Sequence, residues 1–254
     1  MKRWLLLCVL LFTTYGCSFR SCSDDPACTR ILFIGNSYTY VNDLPGTFTK
    51  LADSGGQRVE TGMAAQGGWT LAQHVNSSDT LHQIISQKWK YVVLQEQSEI
   101  PASQQARTAQ MYPAARALVS DIRQVGATPI LFITWAHRDG WPEDGIPTYE
   151  NMQQFINGGY VNLGQELQVP MAPVGYAWFS VRQENPQMSL WQDDGSHPTV
   201  QGTYLAACVF YAVIFQKSPE GLSYTDGLSK ADAQSLQKAA ADTVLSNAAS
   251  WNLP

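Results

Sequence analysis

Two short segments, far apart in the chain, hold residue types that together can activate a hydroxyl. The first is Ile31-Leu32-Phe33-Ile34-Gly35-Asn36-Ser37, an apolar run ending in Gly-Asn-Ser. The second is Asp193-Asp194-Gly195-Ser196-His197-Pro198. A serine hydroxyl is a weak nucleophile until a base takes its proton, and the base must be held in orientation by a third group. Asp194 and His197 can supply that third group and the base from a single turn of chain, with Asp193 as the rival acid. The chemistry open to such a trio is acyl transfer, with no metal or organic cofactor.

These residues need a scaffold, and the intervening sequence alternates short apolar runs with helical stretches. The pattern predicts strands near Ile31–Gly35, Arg58–Met63, Tyr91–Gln95, Thr128–Ile133 and Met171–Val174. Helices are expected over Leu44–Ser54, Leu81–Lys88, Ala114–Val125, Tyr149–Leu167, Val200–Gln216 and Lys230–Ser250. Gly126 suits the C-cap of the third helix, and Pro113 its start. Alternation of this kind implies an α/β fold, a three-layer α/β/α sandwich around a mostly parallel sheet of about five strands. Tyr91–Leu94 and Ile130–Ile133 are apolar throughout, as parallel strands covered on both faces tend to be. In such sheets ligands bind beyond the carboxyl ends of the strands, which is where Ser37 falls.

The chain has 254 residues, 44% of them hydrophobic, and a formal net charge of -5. One domain with a leader accounts for that length. No cluster of Lys and Arg offers a nucleic-acid surface. Lys2 and Arg3 precede the apolar run Trp4–Phe12, so residues 1–16 are expected to be a secretory signal. Gly16-Cys17 resembles the end of a bacterial lipobox, which would place a lipid on Cys17 and make it the chain's membrane contact. Residues 17–30 form a polar tether, and the folded domain is expected over 31–254. Cys22 and Cys28 flank a turn and can pair in an oxidising compartment. Cys208 sits in an apolar helix, and His74 and His82 are expected on helix surfaces.

Through these two segments the chain resembles the SGNH (GDSL) hydrolase superfamily. That family has a Gly-Asp-Ser block after an apolar strand, matched here by Gly35-Asn36-Ser37, with Asn36 in place of the acid. Its last block, Asp-x-x-His-Pro followed by glycine, is matched by Asp194, His197, Pro198 and Gly202. The resemblance implies a flavodoxin-like sheet, Ser37 as nucleophile and His197 as base. The family spacing selects Asp194 over Asp193 as the orienting acid.

The resemblance also implies an oxyanion hole built from the Ser37 N–H, a glycine N–H and a third-block side chain. Gly68, in Gln66-Gly67-Gly68-Trp69-Thr70, is the matching glycine. The third block departs from the family, reading Gln95-Glu96-Gln97-Ser98 where Gly-x-Asn-Asp is expected. A glutamine amide can donate like asparagine, so Gln97, and after it Gln95, is the expected third donor. Asn36, Trp69, Trp135 and His137 are the expected substrate-binding residues, the aromatic ones as faces for a sugar. The implied activity is that of a secreted or envelope-anchored esterase acting on short acyl esters, above all O-acetyl groups on carbohydrate. Two rivals stay open: a lipid or thioester hydrolase with the same machinery, and a glycan-binding surface lipoprotein on a hydrolase scaffold.

Overall fold

The computed structural model describes Cys22, Asp25 and residues 27–253. The leader and Cys17 lie outside the described residues. Five strands form one parallel sheet in the order β2-β1-β3-β4-β5: β1 Thr29–Gly35, β2 Val59–Ala65, β3 Tyr91–Leu94, β4 Thr128–Phe132 and β5 Met171–Ala172. This is the flavodoxin-like order, which reverses direction between β1 and β3 and opens a crevice beyond their carboxyl ends. β1 lies beside that crevice, and Ile31 to Ile34 are fully buried. Pro129, which has no N–H to donate, occupies the part of β4 that the short β5 does not reach.

Among the described residues ten α-helices follow in chain order: α1 Ser37–Tyr40, α2 Leu44–Ser54, α3 Leu71–Val75, α4 Ser78–Ser86, α5 Gln104–Ala106, α6 Tyr112–Gln124, α7 Tyr149–Leu167, α8 Val174–Glu184, α9 Val200–Phe215 and α10 Lys230–Leu245. On one face α9 packs against α2, α8 and α10; on the other α6 packs against α3 and α4. Helix α9 is apolar all round and is buried from Gly202 to Ile214, as a helix enclosed by others must be. Gly126 takes φ +79 just after α6, the left-handed conformation that ends a helix cheaply at glycine.

The sheet and the longer helices match the sequence expectations, the short helices α1, α3 and α5 were not among them, and three further differences stand out. The fifth strand stops at Ala172, because Val174 opens α8, a helix that the sequence pattern did not indicate. The fourth helix of the core, α4, starts at Ser78 rather than Leu81, because Ser77 caps it by accepting from Thr80 N–H at 3.3 Å. The last helix ends at Leu245 and a short 3-10 turn, Ala248–Trp251, completes it. Cys22 and Cys28 form a disulfide, and Cys208 is buried as expected.

Candidate active site

The first site residue is presented by the end of β1. Gly35 must be glycine here, since a Cβ would fall 2.3 Å from Gln95 Oε1. Asn36 caps the short helix α1, its Oδ1 accepting from Tyr38 N–H at 3.1 Å. Ser37 is the first residue of that helix, so its N–H has no acceptor within the helix and is available to a ligand.

His197 comes to Ser37 on the loop before α9. The imidazole Nε2 lies 2.8 Å from Ser37 Oγ, and Nδ1 lies 2.6 Å from Asp194 Oδ2. The other carboxylate oxygen, Oδ1, accepts from the N–H groups of Ser196 and His197, each at 2.9 Å. With Nδ1–H directed at a carboxylate, Nε2 is the free acceptor for the serine proton. Partial burial works to raise the Asp194 pKa, but the Ser196 N–H and the His197 bonds outweigh it and hold the carboxyl at about 2. Asp194, not Asp193, is the acid that meets the ring.

The loop is held from below and behind. Gln192 N–H donates to the His197 carbonyl at 2.8 Å and Arg138 N–H to the Gly195 carbonyl at 2.7 Å. Asn42 Nδ2 donates to the Pro198 carbonyl at 2.9 Å. Gly202 follows on α9, where a Cβ would meet the Trp178 ring at 2.4 Å. That close approach lets α9 bring the loop down onto α8.

Gly68 lies in the turn Gln66–Trp69, with φ +72 and a Trp69 N–H to Gln66 carbonyl bond of 3.1 Å. Among the described residues neither Gly67 nor Gly68 N–H finds an acceptor. Asn36 Nδ2 donates to the Trp69 carbonyl at 2.9 Å and ties this turn to the strand end that carries Ser37. Both ends of the Asn36 side chain are therefore occupied by the scaffold, which corrects its expected place among the substrate contacts.

The third block separates its two glutamines. Gln95 is fully buried, and its Oε1 accepts from Asn36 N–H at 2.8 Å and Thr39 Oγ1 at 3.0 Å. Its Nε2 donates to the Glu96 carbonyl. Gln95 is thus a brace beneath Ser37 and not an oxyanion donor, a correction that follows from its strand-end register facing inward. Gln97 Oε1 accepts from the N–H groups of Glu99 at 2.8 Å and Ile100 at 3.2 Å. This fixes the amide orientation and leaves Nε2 with only long contacts, each 3.4 Å, to Ser98 Oγ and Glu99 Oε2. Between them Glu96 is fully buried, and burial pushes its carboxyl up to about 7 against the N–H bonds from Gln97 and Leu71.

Trp135 was expected to face a sugar, but it is buried, stacked between Tyr38 at 4.4 Å and Trp178 at 4.1 Å. It is part of the floor rather than the mouth. Trp69 is half-buried and meets His74 edge-on at 5.1 Å. His137 is half-buried with Nε2 3.1 Å from Ser98 Oγ. Burial lowers its pKa against the pull of Glu99 and Asp194, which favours the neutral ring.

Sequence reasoning missed His74. Expected on a helix surface, it is buried, with Nε2 2.8 Å from the Gly35 carbonyl and Nδ1 2.9 Å from Thr80 Oγ1. A carbonyl only accepts, so Nε2 carries the proton and Nδ1 accepts from Thr80. The signal was present in Thr70-Leu71-Ala72-Gln73, a capping box that opens α3 and puts His74 on the same face as buried Leu71.

No family model and no curated protein matches the chain. Solved structures do. A protein from Slackia heliotrinireducens, described as a candidate SGNH hydrolase, is 26% identical with a TM-score of 0.64, covering 74% of this chain and 99% of that one. A DUF4886 family protein from Bacteroides uniformis is 18% identical with a TM-score of 0.73, covering 86% and 95%. An acetylxylan esterase from Geobacillus stearothermophilus is 17% identical with a TM-score of 0.54, covering 72% and 92%. In fold the chain is similar to the SGNH (GDSL) hydrolases, and serine, aspartate and histidine meet beyond β1 in that order along the chain.

Proposed function

We propose that the protein is a serine esterase that removes short acyl groups, chiefly O-acetyl groups carried on carbohydrate, through Ser37, His197 and Asp194. The observation that carries this reading is the continuous contact from Asp194 Oδ2 through the His197 ring to Ser37 Oγ, at 2.6 and 2.8 Å. His197 takes the Ser37 proton as Oγ attacks the ester carbonyl, then passes it to the leaving alcohol. Asp194 keeps the imidazole in the tautomer with a free Nε2 and stabilises the imidazolium. Water, activated by the same base, then releases the acid from Ser37. The Ser37 and Gly68 N–H groups and the Gln97 amide are the proposed donors to the oxyanion.

The carbohydrate part of the proposal draws on the solved acetylxylan esterase structure and on the polar pair of His137 Nε2 and Ser98 Oγ, 3.1 Å apart. The leader and a lipid on Cys17 would place the enzyme outside the cytoplasm, where the Cys22–Cys28 disulfide is also at home. The test is direct. The protein is treated with a fluorophosphonate probe, and hydrolysis of acetylated xylo-oligosaccharide is compared with that of short and long p-nitrophenyl esters. Labelling at Ser37 with preference for acetyl esters is expected. Preference for long acyl chains would turn the reading to a lipid or thioester hydrolase, and no labelling to a glycan-binding protein.

A further inference from the structure

The contact between Ser37 and His197 has a neighbour running beside it. One residue along each segment, the Tyr38 hydroxyl lies 2.8 Å from Ser196 Oγ. Ser196 is also held through its backbone: its N–H donates to Asp194 Oδ1 at 2.9 Å, and its carbonyl accepts from Trp135 Nε1 at 2.9 Å. The Tyr38 ring stacks on Trp135 and meets the His197 ring edge-on at 6.0 Å.

This arrangement answers a geometric problem. The side chains of His197 and Asp194 are 35% and 47% exposed, so little packs on them from outside. A base must nonetheless stay within hydrogen-bond reach of its nucleophile, and a displacement of about 1 Å can cost on the order of 100-fold in rate. The bonds from Gln192, Arg138 and Asn42 hold the loop backbone, and Tyr38, 3% exposed, adds restraint from beneath. Its burial drives the phenol pKa far above the ordinary value, although the Ser196 and Ser98 hydroxyls pull the other way. The hydroxyl therefore remains neutral and able to donate and accept at any working pH.

We propose that Tyr38 is a positioning residue whose hydroxyl, acting through Ser196, sets the placement of His197 against Ser37. The proposal rests on the reading of Ser37 and His197 as nucleophile and base. It makes the residue after the nucleophile the anchor for the residue before the base, so a second hydrogen bond runs parallel to the one between Ser37 and His197. The aromatic stack of Tyr38, Trp135 and Trp178 supplies the rigid backing.

The experiment compares Tyr38→Phe, Ser196→Ala, the double variant and Ser196→Thr in the full chain. Readouts are kcat and KM on p-nitrophenyl acetate, the rate of fluorophosphonate labelling, and Tm. Tyr38→Phe keeps the stack and removes one oxygen, so kcat and labelling should fall about 10- to 100-fold with KM within about 2-fold. Ser196→Ala should match it, the double variant should be no worse than either single one, and Ser196→Thr should restore most of the rate. A Tyr38→Phe protein that is labelled at the wild-type rate, or losses that simply multiply in the double variant, would overturn the proposal. Should Tyr38→Phe fail to fold, Ser196→Ala alone decides: wild-type turnover there refutes the brace. A wild-type protein that the probe does not label at Ser37 refutes the esterase reading itself, an outcome distinct from the others.

Discussion

His74 holds the carbonyl of Gly35, with Nε2 2.8 Å from the oxygen, two residues before Ser37. A side chain from α3 thereby fixes the strand end that presents Ser37. Replacing it with phenylalanine leaves the Thr80 hydroxyl without its partner, at about 1–3 kcal/mol for a buried group left unpaired, and leaves the Gly35 carbonyl only its 3.3 Å bond from the Gln66 N–H. His74→Phe is expected to lower Tm and to reduce kcat, whereas His82→Phe on the neighbouring helix should change neither. Thermal unfolding and steady-state kinetics on the two variants check this, and equal effects would remove the special role of His74.

Burial lowers the His74 pKa from its ordinary value, so the unfolded chain binds the extra proton first. Stability from this residue is complete above the unfolded imidazole value of about 6.5 and is lost as pH falls through the folded value. Glu96 acts with the opposite sign. Its folded pKa is raised to about 7, so the folded state holds a proton that the unfolded carboxyl gives up near pH 4.3, and stability declines as pH rises from about 4.3 to 7. Glu96→Gln is therefore expected to raise Tm relative to wild type at pH 8 more than at pH 5. Calorimetry at the two pH values reads the difference, and an identical change at both would mean that Glu96 is not ionising inside the fold.

Ser37→Ala removes one hydroxyl from a helix start and should leave Tm unchanged while turnover falls by at least about 10⁴-fold. Asp194→Asn should cost on the order of 10³–10⁴-fold near neutral pH, because an amide does not enforce the tautomer that frees Nε2. Asp193→Asn serves as the control and should stay within about 2-fold. If Asp193→Asn were the damaging change, the acid would have been misassigned.

The two glutamines of the third block should behave differently. Gln97→Ala is expected to reduce kcat about 100-fold with little change in KM, since the proposed oxyanion donor would act as charge develops. Gln95→Ala should instead show itself in Tm, because the buried Asn36 N–H and the Thr39 hydroxyl both lose their acceptor. Normal rates in Gln97→Ala would place the third donor elsewhere in the site.

Much of this protein is legible along the chain because the relevant relations are local. Asp194 and His197 meet across the two residues between them, Asn36 caps the helix that Ser37 begins, and the apolar runs of β1, β3 and β4 declare strands covered on both faces. Those features depend on period, spacing and chain order, which a linear sequence carries intact. Other features depend on what lies opposite. Gln95 and Gln97 are of one type and two positions apart, yet one braces Asn36 from inside while the other caps its own turn, as strand-end register and the bend after β3 dictate. Trp135 reads as an exposed aromatic until Tyr38 and Trp178 close over its two faces, and His74 reads as a surface residue until β1 ends above it. The helix after Ala172 has no strong periodic pattern and forms against α9 and α10. In each case the partner comes from a distant part of the chain, so burial and hydrogen bonding were settled only by packing.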